Sequence, residues 1–227
     1  MTSNPYFGIV LSFITYEIGI FLNKKFNNNP IVNPLLISII LCIAFLKIFN
    51  ITYEDYMNGA KYIAFLIAPS TVALVTSLYK NLNQLKTHLI AIIVGVTVGV
   101  IVALSSILIL CKLLNLDEVM IISILPKSIT TAIGVPLAEE YGGYGTVTVL
   151  CIILTGVLGA VIAPYIKKIF KVEDKVAMGL AIGTSAHAVG TSKAIEMGEI
   201  EGAMSGLSIG VAGVITAIIM PIFIKLI

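Results

Sequence analysis

Along the 227-residue chain, polar positions are confined to short breaks between long apolar runs. The runs cover 6–22, 31–49, 60–78, 85–113, 119–138, 146–166, 176–195 and 202–226. Each approaches or exceeds the roughly 20 apolar residues that a helix needs to cross a bilayer. The pattern predicts an all-α membrane bundle of seven to eight transmembrane helices, some broken or re-entrant, forming a single domain over 1–227. The first run lacks a basic n-region and a small-residue cleavage site, so it reads as a retained helix. The lysines do not decide the topology. If every run crosses, Lys167, Lys168, Lys171 and Lys175 share a side with Lys47, Lys61 and Lys112 and both termini are cytoplasmic; a re-entrant run changes that assignment.

Three runs carry interrupters. A residue before proline is pushed out of helical geometry, so Ala68 and Leu125 should end half-helices and Pro69 and Pro126 should open new ones. The third is the small-residue stretch Gly183-Thr184-Ser185-Ala186-His187-Ala188-Val189-Gly190. Helix breaks are therefore expected at Pro69, Pro126, Gly183 and Gly190. Pro34, Pro136, Pro164 and Pro221 are weaker signals, since prolines in spanning helices often only kink them. Broken backbone is tolerated at membrane depth where protein covers it or a wet cavity adjoins it, which is how carriers present backbone groups to a solute.

Two internal echoes accompany the breaks. At an offset of 115, Ala73, Thr76 and Ser77 match Ala188, Thr191 and Ser192, and Gly95 falls on Gly210, which suggests related halves 1–114 and 115–227. At an offset of 56, Ala132, Gly134, Ala138, Glu140 and Gly142 match Ala188, Gly190, Ala194, Glu196 and Gly198. One residue later, at 57, Gly156, Ala160, Pro164 and Lys168 match Gly213, Ala217, Pro221 and Lys225.

Composition narrows the function. The chain is 58% hydrophobic and 11% charged, with a mean hydropathy of +1.06, against about 25% charged for a soluble domain. The formal net charge of +2 is spread without a basic block, so nucleic acid is not a partner. Cys42, Cys111 and Cys151 stand singly in apolar runs, which argues for packing and against disulfides or a metal site. No nucleophile–base pair, phosphate loop or ligand cluster is visible, and no cofactor or enzymatic activity is expected.

The residues left to carry chemistry are few. Lys127 lies between apolar stretches, where a charge costs roughly 2.5–3.5 kcal/mol on insertion scales. With Ser128, Thr130 and Thr131 it outlines an anion site at a half-helix start; the alternative is a lysine that snorkels or pairs with Glu139 or Glu140. His187, flanked by Thr184, Ser185 and Thr191, could bind a carboxylate or carry a proton, or be a neutral imidazole bridging two helices. Ser70 and Thr71 follow the Pro69 break. Glu17 is either a proton-relay carboxylate or an interfacial acid, and Lys193 pairs with Glu196 on one helix face.

Four runs taken in order resemble the LrgB/CidB family: Asn33-Pro34-Leu35-Leu36; Ala68-Pro69-Ser70-Thr71-Val72-Ala73-Leu74 with Leu78-Tyr79-Lys80; Leu125-Pro126-Lys127-Ser128-Ile129-Thr130-Thr131; and Gly183 to Thr191. That family includes antiholin-like LrgB proteins and the C-terminal part of the plastid glycolate/glycerate translocator. The resemblance spans nearly the whole chain, with departures at Ala68, where Gly is usual, and Ala132, where Pro is frequent. It implies a multi-pass plasma-membrane protein of a bacterium or archaeon, often beside a small LrgA/CidA-type membrane partner, with homo-oligomers left open. Two roles are implied: control of murein hydrolases and autolysis through holin-like pores, or carriage of a small 2-hydroxy or 2-keto monocarboxylate such as glycolate, glycerate or pyruvate. The buried Lys127 and the broken helices favour the carrier, working by alternating access with proton coupling.

Overall fold

A computed structural model describes residues 4–26, 29, 32–66, 69 and 82–227, the side chains of 82–88 excepted. The chain forms two compact units, Met1–Ser70 and Thr71–Ile227. The described residues are helical throughout, joined by turns.

In the first unit, α1 (Tyr6–Lys25) packs against α2 (Pro34–Ile48) and α3 (Tyr53–Phe65). Asn33 caps α2 by accepting from the amides of Leu35 and Leu36, with Pro34 at the first helical position, and Thr52 caps α3 through the Asp55 amide. Glycines permit the close crossings: a Cβ at Gly8 would meet the backbone of Tyr56, and one at Gly19 the carbonyl of Pro34. Thr15 and Ser38 join the α1–α2 contact through their hydroxyls at 3.0 Å, the kind of polar pair that holds apolar helices together in lipid. The expected run 60–78 coincides with α3 only at its start; Ala68, Ser70, Thr71 and the rest of the run lie outside the described residues.

The second unit contains α4 (Leu82–Leu113), α5 (Glu118–Ile124), α6 (Thr131–Glu140), α7 (Gly145–Ile169), α8 (Lys175–Met197) and α9 (Glu199–Ile224). Among the described residues, four helices are long and apolar enough to cross a membrane: α1, α4 from Leu89 onward, α7 and α9. Runs 119–138 and 176–195, for which the sequence left crossing and re-entrant paths both open, fold back on themselves.

The reversal in α8 is plain from its contacts. In a straight helix Ile182 and Gly190 would stand about 12 Å apart, yet a Cβ on Gly190 would lie 3.0 Å from the Ile182 side chain. Met178 and Ile182 share an apolar cluster with Ala194 and Met197. The turning point is His187, at φ 41° and ψ −141°, so the expected breaks at Gly183 and Gly190 are replaced by one at the residue between them. The glycines serve packing: a Cβ on Gly183 would collide with Ser205 and Ser208 of α9, and one on Gly190 with the opposite arm. Each arm holds about twelve residues, or about 18 Å of helix, which is roughly half of a 30 Å hydrocarbon core.

α5 and α6 form a second hairpin. Ser123 in α5 receives the Tyr144 amide at 2.7 Å, and its carbonyl accepts from Thr148 at 2.8 Å. On the returning arm, a Cβ at Gly134 would lie 2.9 Å from Ile152 and 3.3 Å from the Pro126 carbonyl, and Glu139 reaches back to Gly145. Pro126 does not open a helix, contrary to the sequence reading. It sits in a tight turn in which the Lys127 amide donates to Ile124 at 3.0 Å and the Ile129 amide to Pro126 at 3.2 Å. α6 begins only at Thr131.

The two hairpin-plus-helix pairs, α5–α6–α7 and α8–α9, repeat the echo at 56 and 57 in three dimensions. Glu139 meets Gly145 as Ile195 meets Gly202, and Ser123 meets Thr148 as Gly179 meets Met204 beside Ser205. Contacts between the pairs are reciprocal as well: Gly156 of α7 faces Val189, and its counterpart Gly213 of α9 faces Ile133, the counterpart of Val189. Reciprocity of this kind marks a two-fold relation. Lys167, in the last turn of α7, pairs at 3.0 Å with Glu201 in the first turn of α9, so the two long helices run antiparallel. Each pair then contributes one helix long and apolar enough to cross, and the repeat is inverted. Lys112 at the end of α4 donates to the Leu226 carbonyl beyond α9, which puts it at the opposite end of α9 from Lys167. Lys112 and the Lys167–Lys175 group are therefore on different faces, because the hairpins do not cross.

Candidate functional site

The two hairpin tips meet in the middle of the second unit, and the expected site residues divide between the tips and their surroundings. Lys127, half-buried, lies close enough to Cys151 of α7 and to His187 for electrostatic interaction with both. It makes no ion pair among the described residues, so pairing with Glu139 or Glu140 does not occur. A cavity of about 650 Å³ opens beside it. Lys127 and Ser128 from one tip and Thr184 and Ser185 from the other reach the same wall of this cavity. Ser128 and Thr184 are counterparts at the offset of 56, so the pseudo-two-fold axis passes between them. Among the described residues neither hydroxyl has a hydrogen-bond partner, whereas Ser185 donates to the Ala181 carbonyl of its own helix at 2.7 Å.

The stripe Ala91, Gly95, Gly99 and Ala103 of α4, one small residue per turn, also lines the cavity. A Cβ at Gly99 would touch Thr184, while one at Gly95 would meet nothing within 4 Å. Gly99 thus lets α4 approach Thr184 closely, while Gly95 faces open space. Asp174 lines the cavity on the lysine-rich side and caps α8 by accepting from the Ala177 amide at 2.8 Å. Charged or polar groups at both ends are suited to water and a polar solute rather than to lipid tails.

His187 stands behind this wall, 4% exposed. Its Nε2 lies 2.8 Å from the Ile152 carbonyl, and because a carbonyl only accepts, Nε2 carries the proton. The imidazole therefore bridges α8 and α7, one of the two readings its sequence context allowed. Gly156 leaves room for the ring, since a Cβ there would meet both Cε1 and Nε2. Thr191 donates to the His187 carbonyl at 2.9 Å and pairs with Ser205 at 2.7 Å, so the broken backbone is satisfied from within. Positive φ at a non-glycine residue costs of order 1–3 kcal/mol, and here the surrounding hydrogen bonds hold it.

Thr130 occupies the position before α6 without capping it, and its buried hydroxyl has no partner among the described residues. Thr131 opens α6 and is half-buried. The free helix-start amides sit there, one turn further along the chain than expected. Glu17 is exposed on α1, and Lys193 pairs with Glu196 at 2.7 Å, as its spacing suggested. Pro69 is exposed, with its neighbours Ala68 and Ser70, and Thr71, outside the described residues.

Several contributors escaped the sequence reading. Ser123 and Thr148 lock the first hairpin, and Ser205 locks the second by pairing with Thr191, which the sequence had marked as a site residue; Thr148 and Ser205 are counterparts at 57, a signal the echo contained. Glu201, 1% exposed, was hidden by lying just outside an apolar run.

Comparison with known proteins gives a consistent picture. A family model described as the LrgB-like family matches residues 12–226. The chain is 39% identical over 226 residues to the antiholin-like protein LrgB of Bacillus subtilis strain 168, covering 100% of this chain and 98% of that protein. It is 38% identical, with the same coverage, to the antiholin-like LrgB proteins of Bacillus cereus strain B4264 and Bacillus anthracis strain CDC 684 / NRRL 3495. No solved structure matches.

Proposed function

Because this chain belongs to the LrgB-like family and is a multi-pass membrane protein, we propose that it has the antiholin-like role for which its relatives are named. In that role it acts with small holin-like membrane proteins and restrains murein hydrolase activity and autolysis. The observation that carries this reading is the end-to-end similarity to the Bacillus LrgB proteins. The test is expression in a bacterial host lacking its own LrgB protein, with detergent-induced lysis as the readout. Slower lysis supports the role, and an unchanged lysis rate at full membrane insertion opposes it.

A second reading has its own support. The unpaired Lys127 ammonium and the unpartnered Ser128 and Thr184 hydroxyls face one cavity at the interface of an inverted repeat, where carriers place their solutes. A small organic anion with a hydroxyl or keto oxygen matches those donors: its carboxylate on Lys127, its second oxygen on Ser128 or Thr184. Metabolite carriage through this cavity would also affect autolysis indirectly, so the two readings are compatible. Uptake of labelled glycolate and pyruvate into proteoliposomes, with and without a pH gradient, tests it. Saturable uptake lost in Lys127→Gln supports the carrier; absence of uptake, with a holin-like partner co-reconstituted, removes it.

A further inference from the structure

The inverted repeat has an asymmetry between its halves. On the hairpin of α8, Ala177, Ala181 and Ser185 form an exposed stripe along the cavity wall. Their counterparts at the offset of 56 are Ile121, Leu125 and Ile129, which are 2%, 1% and 2% exposed. Equivalent faces of two related hairpins are thus in opposite states, one open to the cavity and one sealed. The open stripe leads from Asp174, on the side of Lys167, Lys168, Lys171 and Lys175, to the tip that carries Lys127.

We propose that the protein has a second vestibule on the opposite face, lined by Ile121, Leu125 and Ile129 and closed in this structure, and that the two vestibules open alternately onto Lys127. The inference rests on the solute reading above. The physical basis is that two related units can exchange conformations about their axis; the exchange exposes Ile121, Leu125 and Ile129 in place of Ala177, Ala181 and Ser185, which makes the second arrangement the less populated one. Ser128 and Thr184 lie at that axis, so both vestibules end at the same hydroxyl pair. The tips move, while the bond from the Thr148 hydroxyl to the Ser123 carbonyl and the Thr191–Ser205 hydroxyl pair keep each hairpin on its own long helix.

The test uses sided labelling of the full-length protein. In a background with Cys42, Cys111 and Cys151 replaced, single cysteines are placed at Ala181, Leu125 and Ile129, with Lys171→Cys as the marker of the lysine-rich face. A membrane-impermeant maleimide is applied to either face of sealed, oriented proteoliposomes. Ala181→Cys is expected to react only from the face that labels Lys171→Cys. Leu125→Cys and Ile129→Cys are expected to react only from the other face, about 10- to 1,000-fold more slowly, as for a minor state populated at about 0.1–10%. Inert Leu125→Cys and Ile129→Cys in proteins that melt like their background would overturn the proposal, as would their reaction from the lysine-rich face. Alternating labelling without uptake of labelled glycolate or pyruvate would overturn the solute reading alone; uptake with both cysteines inert would overturn the second vestibule alone.

Discussion

His187 turns the α8 hairpin and at the same time donates from Nε2 to the Ile152 carbonyl 2.8 Å away, so one residue both breaks its own helix and ties the break to α7. Its φ of 41° lies where a side chain is strained and glycine is not. His187→Ala and His187→Gly both lose the hydrogen bond, but only alanine keeps the strain. The glycine variant is expected to be the more stable of the two by about 1 kcal/mol, measured by thermal melting in detergent. Gly156→Ala, which forces a methyl group against the imidazole and Val189, is expected to cost about 1–3 kcal/mol.

The two ion pairs should behave differently. Glu201 is 1% exposed, and Lys167 is its partner, with the second carboxylate oxygen unpartnered among the described residues. Lys167→Met leaves a buried charge alone, a change that costs about 3–5 kcal/mol when both partners are buried. Lys167 is 33% exposed, so water can partly replace it and the loss should fall below that range. Lys193→Met removes a pair whose acid is 66% exposed, worth about 0.2–0.5 kcal/mol. Equal melting temperatures for the two variants would contradict the assignment of Lys167–Glu201 as the clamp between α7 and α9.

Glycines separate packing from passage. Gly183→Ala is expected to destabilise by about 1–3 kcal/mol, because its methyl group would enter Ser205 and Ser208. Gly95→Ala meets nothing and should melt like the wild type, whereas Gly95→Phe should fold and block the cavity. The measurement is melting temperature beside uptake of labelled glycolate. A Gly95→Phe protein that transports at the wild-type rate would remove the cavity as the path.

Much of this architecture was written in the apolar periodicity, and the part that was not has a physical reason. The long helices α1, α4, α7 and α9 follow from unbroken runs of suitable length. The breaks near Pro126 and His187 followed from proline and from clustered small residues, but hydropathy does not distinguish a helix that crosses from two arms that return, because both bury the same apolar residues. The direction of the chain after a break depends on tertiary contacts such as Gly190 on Ile182, which no local pattern encodes. Lys127, Ser128, Thr184 and Ser185 were legible as polar residues in apolar surroundings, and they do share a cavity. Glu201 was not, since an acid at a helix start resembles an ordinary solvated terminus until Lys167 is seen to cover it.

The most direct measurement on the whole account is the lysis rate of a host lacking its own LrgB protein, complemented by either the wild-type protein or Lys127→Gln at equal membrane levels. Wild type is expected to slow lysis and Lys127→Gln to leave it at the uncomplemented rate, as follows if lysis control works through the proposed solute site at the hairpin tips. Equal protection by both proteins would contradict this and separate lysis control from the Lys127 site.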